Sequence, residues 1–305
     1  AIPCHLRSTN SQAVLNECEK LVWPLIRQPY IYSRWEIVSA PFSFEVFLNL
    51  SNNGVLCLLE HYNGYDRDSF TDFLEGGERE VGRQLSEAAS RQSSRFMAFL
   101  TDNWEQIPER FRDDLLEGVT TYLAHRYGSL QPSNNWLYIE EPDAEKLALN
   151  ILENLEQHQD HWHHNRAASK AIENCAHIIK KTQDAARLIH LAMSFASLME
   201  ESTISGDSLD LLTSGINMRR GNTAEALIIL ANQLEASGVQ WPDSLPTALR
   251  LYAGDKHPAI RAVMLRRMPF LQARFPELGW ELFDLALKES ADGLWAIAEP
   301  CLYYA

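Results

Sequence analysis

The sequence predicts an all-α fold, a solenoid of stacked helices. Three observations carry that expectation. Apolar residues recur at i, i+3, i+4 and i+7 in one segment after another, the period of a helix with one buried face. Helix start and stop signals flank several of those segments. Nothing between Glu60 and Ala305 shows the alternating runs and paired turn signals of a sheet. A solenoid buries helices only between neighbours, so 305 residues need no division into separate cores.

Residues 1–34, rich in Pro and aromatics, read as a linker or an irregular helical segment. The run Phe42 to Leu50, with its partial alternation and aromatic content, suits a strand as well as a helix, and two short helices hinged at Ser51-Asn52-Asn53-Gly54 are favoured. Val81, Leu85, Ala88 and Ala89 make the next stripe. Phe111, Leu115, Val119 and Tyr122 make another after Pro108, so residues 35–140 form a first helical array.

Residues 141–305 are the regular repeats. Ala144, Leu147, Ala148, Ile151, Leu152 and Leu155 share a face, with Pro142 placed as a first-turn proline. Ala168, Ile172, Cys175 and Ile179 follow, and then Ala185, Leu188, Ile189, Ala192, Phe195, Ala196 and Met199. After the Gly206-Asp207-Ser208 break, Asn222 is read as an N-cap with Glu225 three residues on. Its stripe is Leu227, Leu230, Ala231 and Leu234, closed by Gly238. Ile260, Val263, Met264, Met268 and Leu271 form the next. Arg267 falls inside that stripe and Pro269 interrupts it, which predicts a kink or an early stop. Leu278, Leu282, Leu285 and Ala286 complete a helix begun at Pro276.

A formal charge of −14, with the ten His neutral, argues against nucleic-acid or anionic-membrane binding, both of which need clustered Lys and Arg. A protein partner is favoured. Cys4, Cys18, Cys57, Cys175 and Cys301 are odd in number, scattered and free of any C-x-x-C pair, as in a reducing cytoplasm. No apolar run approaches a membrane span. The chain starts without Met and stops at Leu302-Tyr303-Tyr304-Ala305 in mid-pattern, and so reads as a piece of something longer.

His158, Asp160, His161, His163, His164 and His177, with Cys175, are the densest group of potential metal ligands, and His161 and His164 at i, i+3 could share an ion. The group lacks H-E-x-x-H, and Cys175 lies on an apolar stripe, so a structural or solvent-facing role is preferred and no metal or cofactor is assigned. Pro142-Asp143-Ala144-Glu145-Lys146 has the residue types of a metal-dependent nuclease, but it opens an amphipathic helix whose positive end favours the carboxylates. There is no G-x-x-x-x-G-K-[ST] phosphate loop and no G-x-S-x-G elbow; Gly76-Gly77 lacks the lysine of a phosphate loop, and Cys57, among leucines, reads as core. No catalytic residue is assigned. Met218-Arg219-Arg220-Gly221 and Arg266-Arg267 are basic islands, able either to fork onto a partner carboxylate or to neutralise helix ends within the array. Of these groups, His161, Trp162, His163, His164, Arg219 and Arg220 are the candidate partner-binding residues. Trp104, Trp136, Trp162, Trp241, Trp280 and Trp295 are hot-spot residue types, mostly expected in the core between repeats.

Asp255-Lys256-His257-Pro258-Ala259-Ile260-Arg261 resembles the start of a HEAT-type repeat, which implies a HEAT- or TPR-like α-α superhelix. With Glu87-Ala88-Ala89-Ser90-Arg91, Gly215-Ile216-Asn217-Met218, Ala224-Glu225-Ala226-Leu227 and Ala298-Glu299-Pro300-Cys301-Leu302-Tyr303-Tyr304, it resembles the C-terminal helical-repeat region of bacterial STAND-type ATPases, including those of anti-phage defence. The resemblance implies a sensor array that recognises a phage protein, portal or large terminase, and triggers a linked ATPase and effector encoded elsewhere in the parent chain. Two other classes stay open at this point: a scaffold touching only other domains of its own polypeptide, and a metal-dependent enzyme built on the His158 to His177 cluster.

Overall fold

A computed structural model of the chain describes residues 40–64, 76–128, 130–132, 136–199, 208–288 and 292–303. The assignment of residues 1–34 lies outside them. Among the described residues there is no strand, and fifteen α-helices follow one another. They are α1 (Glu45–Asn49), α2 (Asn52–Tyr62), α3 (Glu78–Arg91), α4 (Ser93–Asp102), α5 (Glu109–Arg126), α6 (Ala144–Gln157), α7 (Gln159–Trp162) and α8 (Arg166–Ala176). After them come α9 (Thr182–Ser194), α10 (Ser208–Asn217), α11 (Arg219–Ala236), α12 (Ser244–Ala253), α13 (Pro258–Arg274), α14 (Pro276–Leu287) and α15 (Asp292–Leu302).

The helices pack in two rows. In one row α3, α5, α8, α11, α13 and α15 each lie on the next; in the other α4, α6, α9, α12 and α14 do the same. The rows join where α4 meets α5, α6 meets α8, α9 meets α11, α12 meets α13 and α13 meets α14. α10 departs from this order and packs on α11, α13 and α15. Every residue of α11 from Gly221 to Ala231 is therefore buried, polar ones included.

Capping follows the local chemistry. Asp143 accepts the N–H of Lys146 at 3.1 Å and opens α6, which places Pro142 just outside the helix, before the cap. Ser51 caps α2 through the N–H of Gly54, and Asn165 caps α8 through the N–H of Ala167 at 2.8 Å. His257 does the same for α13, its Nδ1 accepting the N–H of Ala259, with Pro258 in the first turn. Gly238, at φ +64, lies just beyond the end of α11 in the left-handed conformation that glycine adopts without penalty.

Four local expectations need correction. Asn222 does not cap: α11 already begins at Arg219, and the buried Asn222 amide donates instead to Ser169 Oγ of α8 at 3.1 Å. The stripe through Met199 outlasts its helix, because α9 ends at Ser194 and Met199 is exposed. Of the kink or early stop expected at Pro269, the early stop does not occur, since α13 runs on to Arg274. Cys57 is exposed rather than in the core, since Val55 and Leu59 take the buried face of α2 and a residue two positions on points the other way.

Polar contacts tie successive helices within each row. Between α5 and the start and body of α8, Asn165 donates to Asp113 and Asn174 to the Thr120 carbonyl; between the α8 unit and α11, Arg219 donates to the His164 carbonyl and Asn222 to Ser169. Glu225, buried in α11, accepts from Arg267 of α13 at 2.9 Å and from Arg266 at 3.4 Å. The arginine that spoils the apolar stripe is thus a partner of the preceding helix. In the other row Arg187 forks onto Glu156, and Arg250 onto Glu281.

Candidate functional site

Of the six residues nominated from sequence, His161, Trp162, His163 and His164 lie in or just after the short turn of α7 and Arg219 reaches it, whereas Arg220 binds elsewhere. Trp162 is 2% exposed, and its indole N–H donates to Asn154 Oδ1 at 3.0 Å. His161 is pinned by α5, with Nε2 3.0 Å from Asp113 and Nδ1 3.5 Å from Glu109. His163 is exposed, and its ring lies 3.6 Å from that of His164. His164 takes φ +60, a left-handed conformation in which His is among the better-tolerated side chains, and so turns the chain from α7 into the Asn165 cap.

The two arginines look back into the array. Arg219 donates to the carbonyl of His164 at 2.7 Å. Arg220 forms an ion pair with Asp255 and donates to the Leu198 carbonyl at 3.2 Å, so the first turn of α11 is bound to the loop before α13. From the motif segment that loop opens, Arg261 donates to the Ala286 carbonyl at 3.0 Å, near the negative end of α14.

Beside α7 lies a polar groove of about 540 Å³, with Trp104, Arg112, Glu156, His158, Asp160 and His161 among its walls. Trp104 makes ring contacts there: the His158 ring stacks on it at 3.7 Å, and the Arg112 guanidinium sits 4.4 Å from its centroid. Burial, reinforced by Arg112 and His161 against the pull of Glu105, holds the His158 pKa below its usual value. The chemistry here is stacking and charge pairing. Among the described residues no group of three or more His, Cys, Asp or Glu is placed to hold a metal. Cys175, with its thiol pKa raised by burial, is closed inside α8 against the Ala148 carbonyl, and His177 faces Arg267 and Glu225 instead.

A different surface offers open apolar area. In the connection from α5 to α6, residues 136–139 lie against the end of α3, with Trp136 and Tyr138 packed on the core and Leu137 and Ile139 outward, 73% and 58% exposed. The last turn of α3 holds this strip: Trp136 Nε1 donates to Ser90 Oγ at 3.0 Å, the Arg91 side chain to the Leu137 carbonyl at 2.8 Å, and the Ile139 N–H to the Arg91 carbonyl at 3.0 Å. Tyr127 and Leu130 are also exposed along the same connection. Of these residues the sequence singles out only Trp136, expected in the core, against which it packs. Their signal is a period of two over Trp136 to Ile139, too short to stand out from its surroundings.

No protein-family model, curated protein or solved structure matches the chain.

Proposed function

We propose that the chain is a protein-binding helical-repeat module, a solenoid whose units stack along α3, α5, α8, α11, α13 and α15. The observation that carries this reading is the order of packing, each helix lying on the next along both rows. The ties between the α5 and α8 units span 52 and 54 residues, and those between the α8 and α11 units span 55 and 53. In the second row, Glu156 to Arg187 and Arg250 to Glu281 both span 31. The ties between the α11 and α13 units span 41 and 42, so successive units stack in chain order while differing in length. The exposed Leu137 and Ile139 supply an apolar contact of the kind that marks a protein-docking surface.

In its finer form the module is a cytoplasmic sensor of anti-phage defence that recognises portal or large terminase and has no catalysis of its own. Its support is the family resemblance of the phrases around Ser90, Met218, Glu225, Arg261 and Cys301. A target that binds one arrangement of the full protein better than another shifts the balance toward it, and the linked ATPase and effector respond. The test is capture of purified portal and large terminase by the chain, with Leu137→Glu/Ile139→Glu as the comparison. Capture by the wild type that the double variant loses is the expected result. Failure to capture either protein removes the phage-sensor reading, and equal capture by the variant removes the strip as the contact.

A further inference from the structure

The crossing of α3 and α5 is built from two reciprocal close approaches. A Cβ added to Gly82 on α3 would lie 2.1 Å from Asp114 Oδ2 on α5, and one added to Gly118 on α5 would lie 2.3 Å from the Ser86 carbonyl on α3. Gly82 and Ser86 are one turn apart, as are Asp114 and Gly118, so a single face of each helix carries both contacts. Into this crossing the sequence places an acid. Asp114 Oδ2 is buried and has no hydrogen-bond partner among the described residues.

The charged groups around it give little help. On α5, Arg110 is favourable, whereas Asp113 and Glu117 are not; on α3, Glu78 is a further carboxylate, and Arg83 and Glu87 line the cleft beside Asp114. Among the cations of the other helices packed on this pair, Arg95 of α4 is held on the Leu48 and Leu50 carbonyls, Lys170 of α8 pairs with Glu173 and Arg166 of α8 is exposed, and none of the three is among the charges that act on Asp114. Burial, opposed by Arg110 and reinforced by Glu117, Asp113 and Glu78, pushes the Asp114 pKa up to about 7. A cleft of about 200 Å³, lined by Arg83, Ser86, Glu87, Glu117 and Thr121 among others, adjoins the carboxyl and gives water a route to it.

We propose that Asp114 is a protonation-dependent latch: the neutral acid lets the two glycine contacts close, and the ionised carboxylate favours separation of α3 from α5 and entry of water. The sign follows from linkage. The closed state holds a proton that the open, hydrated carboxyl releases, so closure is strongest in acid and weakens as pH rises from about 4 to about 7, levelling off above. Because the exposed strip hangs from Ser90 and Arg91 at the end of α3, it moves with the latch. The latch rests on the crossing alone and holds whether or not the strip binds a partner.

Hydrogen exchange of the intact chain tests it, read over residues 78–91 and 136–140 and corrected for intrinsic rates. Between pH 5 and pH 7, wild-type protection of these segments falls by about tenfold per pH unit. In Asp114→Asn, which mimics the neutral acid, protection stays level and exceeds wild type at pH 7 by at least tenfold. Asp114→Ala, whose smaller side chain also cannot ionise, gives a second level profile, and Glu117→Gln, which takes away one of the charges raising the Asp114 pKa, keeps the fall but ends it at lower pH. A level wild-type profile overturns the proposal, as does a slope that survives both Asp114 substitutions.

Discussion

The thiol of Cys301 on α15 lies 3.5 Å from the carbonyl oxygen of Leu265 on α13. That carbonyl is the one left without its helical donor by Pro269, four residues on, which has no N–H to give. The contact supplies a partner from outside the helix. A proline inside a helix costs on the order of 3 kcal/mol when nothing compensates, and here the neighbouring helix meets the exposed acceptor. α13 therefore continues to Arg274, where sequence alone predicts a kink or an early stop.

This pairing makes the cost of Cys301→Ala conditional. In the wild type, the substitution removes both buried packing and the donor to Leu265, a loss of about 1–2 kcal/mol. In a Pro269→Ala background the Leu265 carbonyl regains its own helical N–H, so Cys301→Ala loses packing alone. A double-mutant cycle by urea unfolding is expected to show coupling of about 0.5–1 kcal/mol. Additive losses would show that the thiol only fills space.

Arg267 and Glu225 give an asymmetric pair. The Glu225 side chain is 8% exposed and the Arg267 side chain 35%. Arg267→Ala leaves a buried carboxylate with only Arg266 at 3.4 Å, whereas Glu225→Ala lets both arginines turn to water. The first is expected to cost about 2–3 kcal/mol and the second about 1 kcal/mol less. Chemical denaturation of the two variants measures the difference, and equal losses would place the effect in packing instead of charge.

What the sequence made legible, and what it did not, divides along one physical line. The stripes Phe111, Leu115, Val119, Tyr122 and Leu147, Ile151, Leu152, Leu155 are buried as their period requires, because a local repeat decides which face is apolar. Asn222, Arg267, Pro269 and Asp114 were opaque, because their partners come from helices distant in sequence: Ser169, Glu225, Cys301 and Gly82. The nominated Trp162 and Arg220 carry residue types suited to a contact surface, and composition alone does not tell that role from their inward-facing positions. For Leu137 and Ile139, exposure depends on which side of a four-residue segment Ser90 and Arg91 hold.

The pH dependence of His177 runs opposite to that of Asp114. Burial, with Arg267 adding and Glu225 opposing, lowers the His177 pKa below the usual 6.5. The unfolded chain therefore binds a proton there more readily than the folded one, and the stability gained from neutral His177 is lost as pH falls below about 6.5. His177→Gln removes that proton site. The stability gap between His177→Gln and wild type should narrow as pH drops from 7.5 to 5, read from urea midpoints at each pH. A constant gap would mean that His177 does not titrate against folding.

Trp162 and the Leu137/Ile139 strip separate core from contact surface. Trp162→Phe removes the N–H that Asn154 Oδ1 accepts at 3.0 Å, and Asn154 is itself 1% exposed, so the amide oxygen loses a partner that water cannot readily replace. A loss of about 1–3 kcal/mol follows. Folded Trp162→Phe should nevertheless bind a captured protein target as wild type does, because almost none of the indole reaches the surface. Leu137→Glu/Ile139→Glu should do the reverse, changing stability by less than about 0.5 kcal/mol, as exposed substitutions do, while abolishing capture. Thermal unfolding and calorimetric titration on the same preparations measure both quantities. Weakened binding in folded Trp162→Phe, with the strip variant intact, would move the contact surface from the end of α3 to the turn of α7.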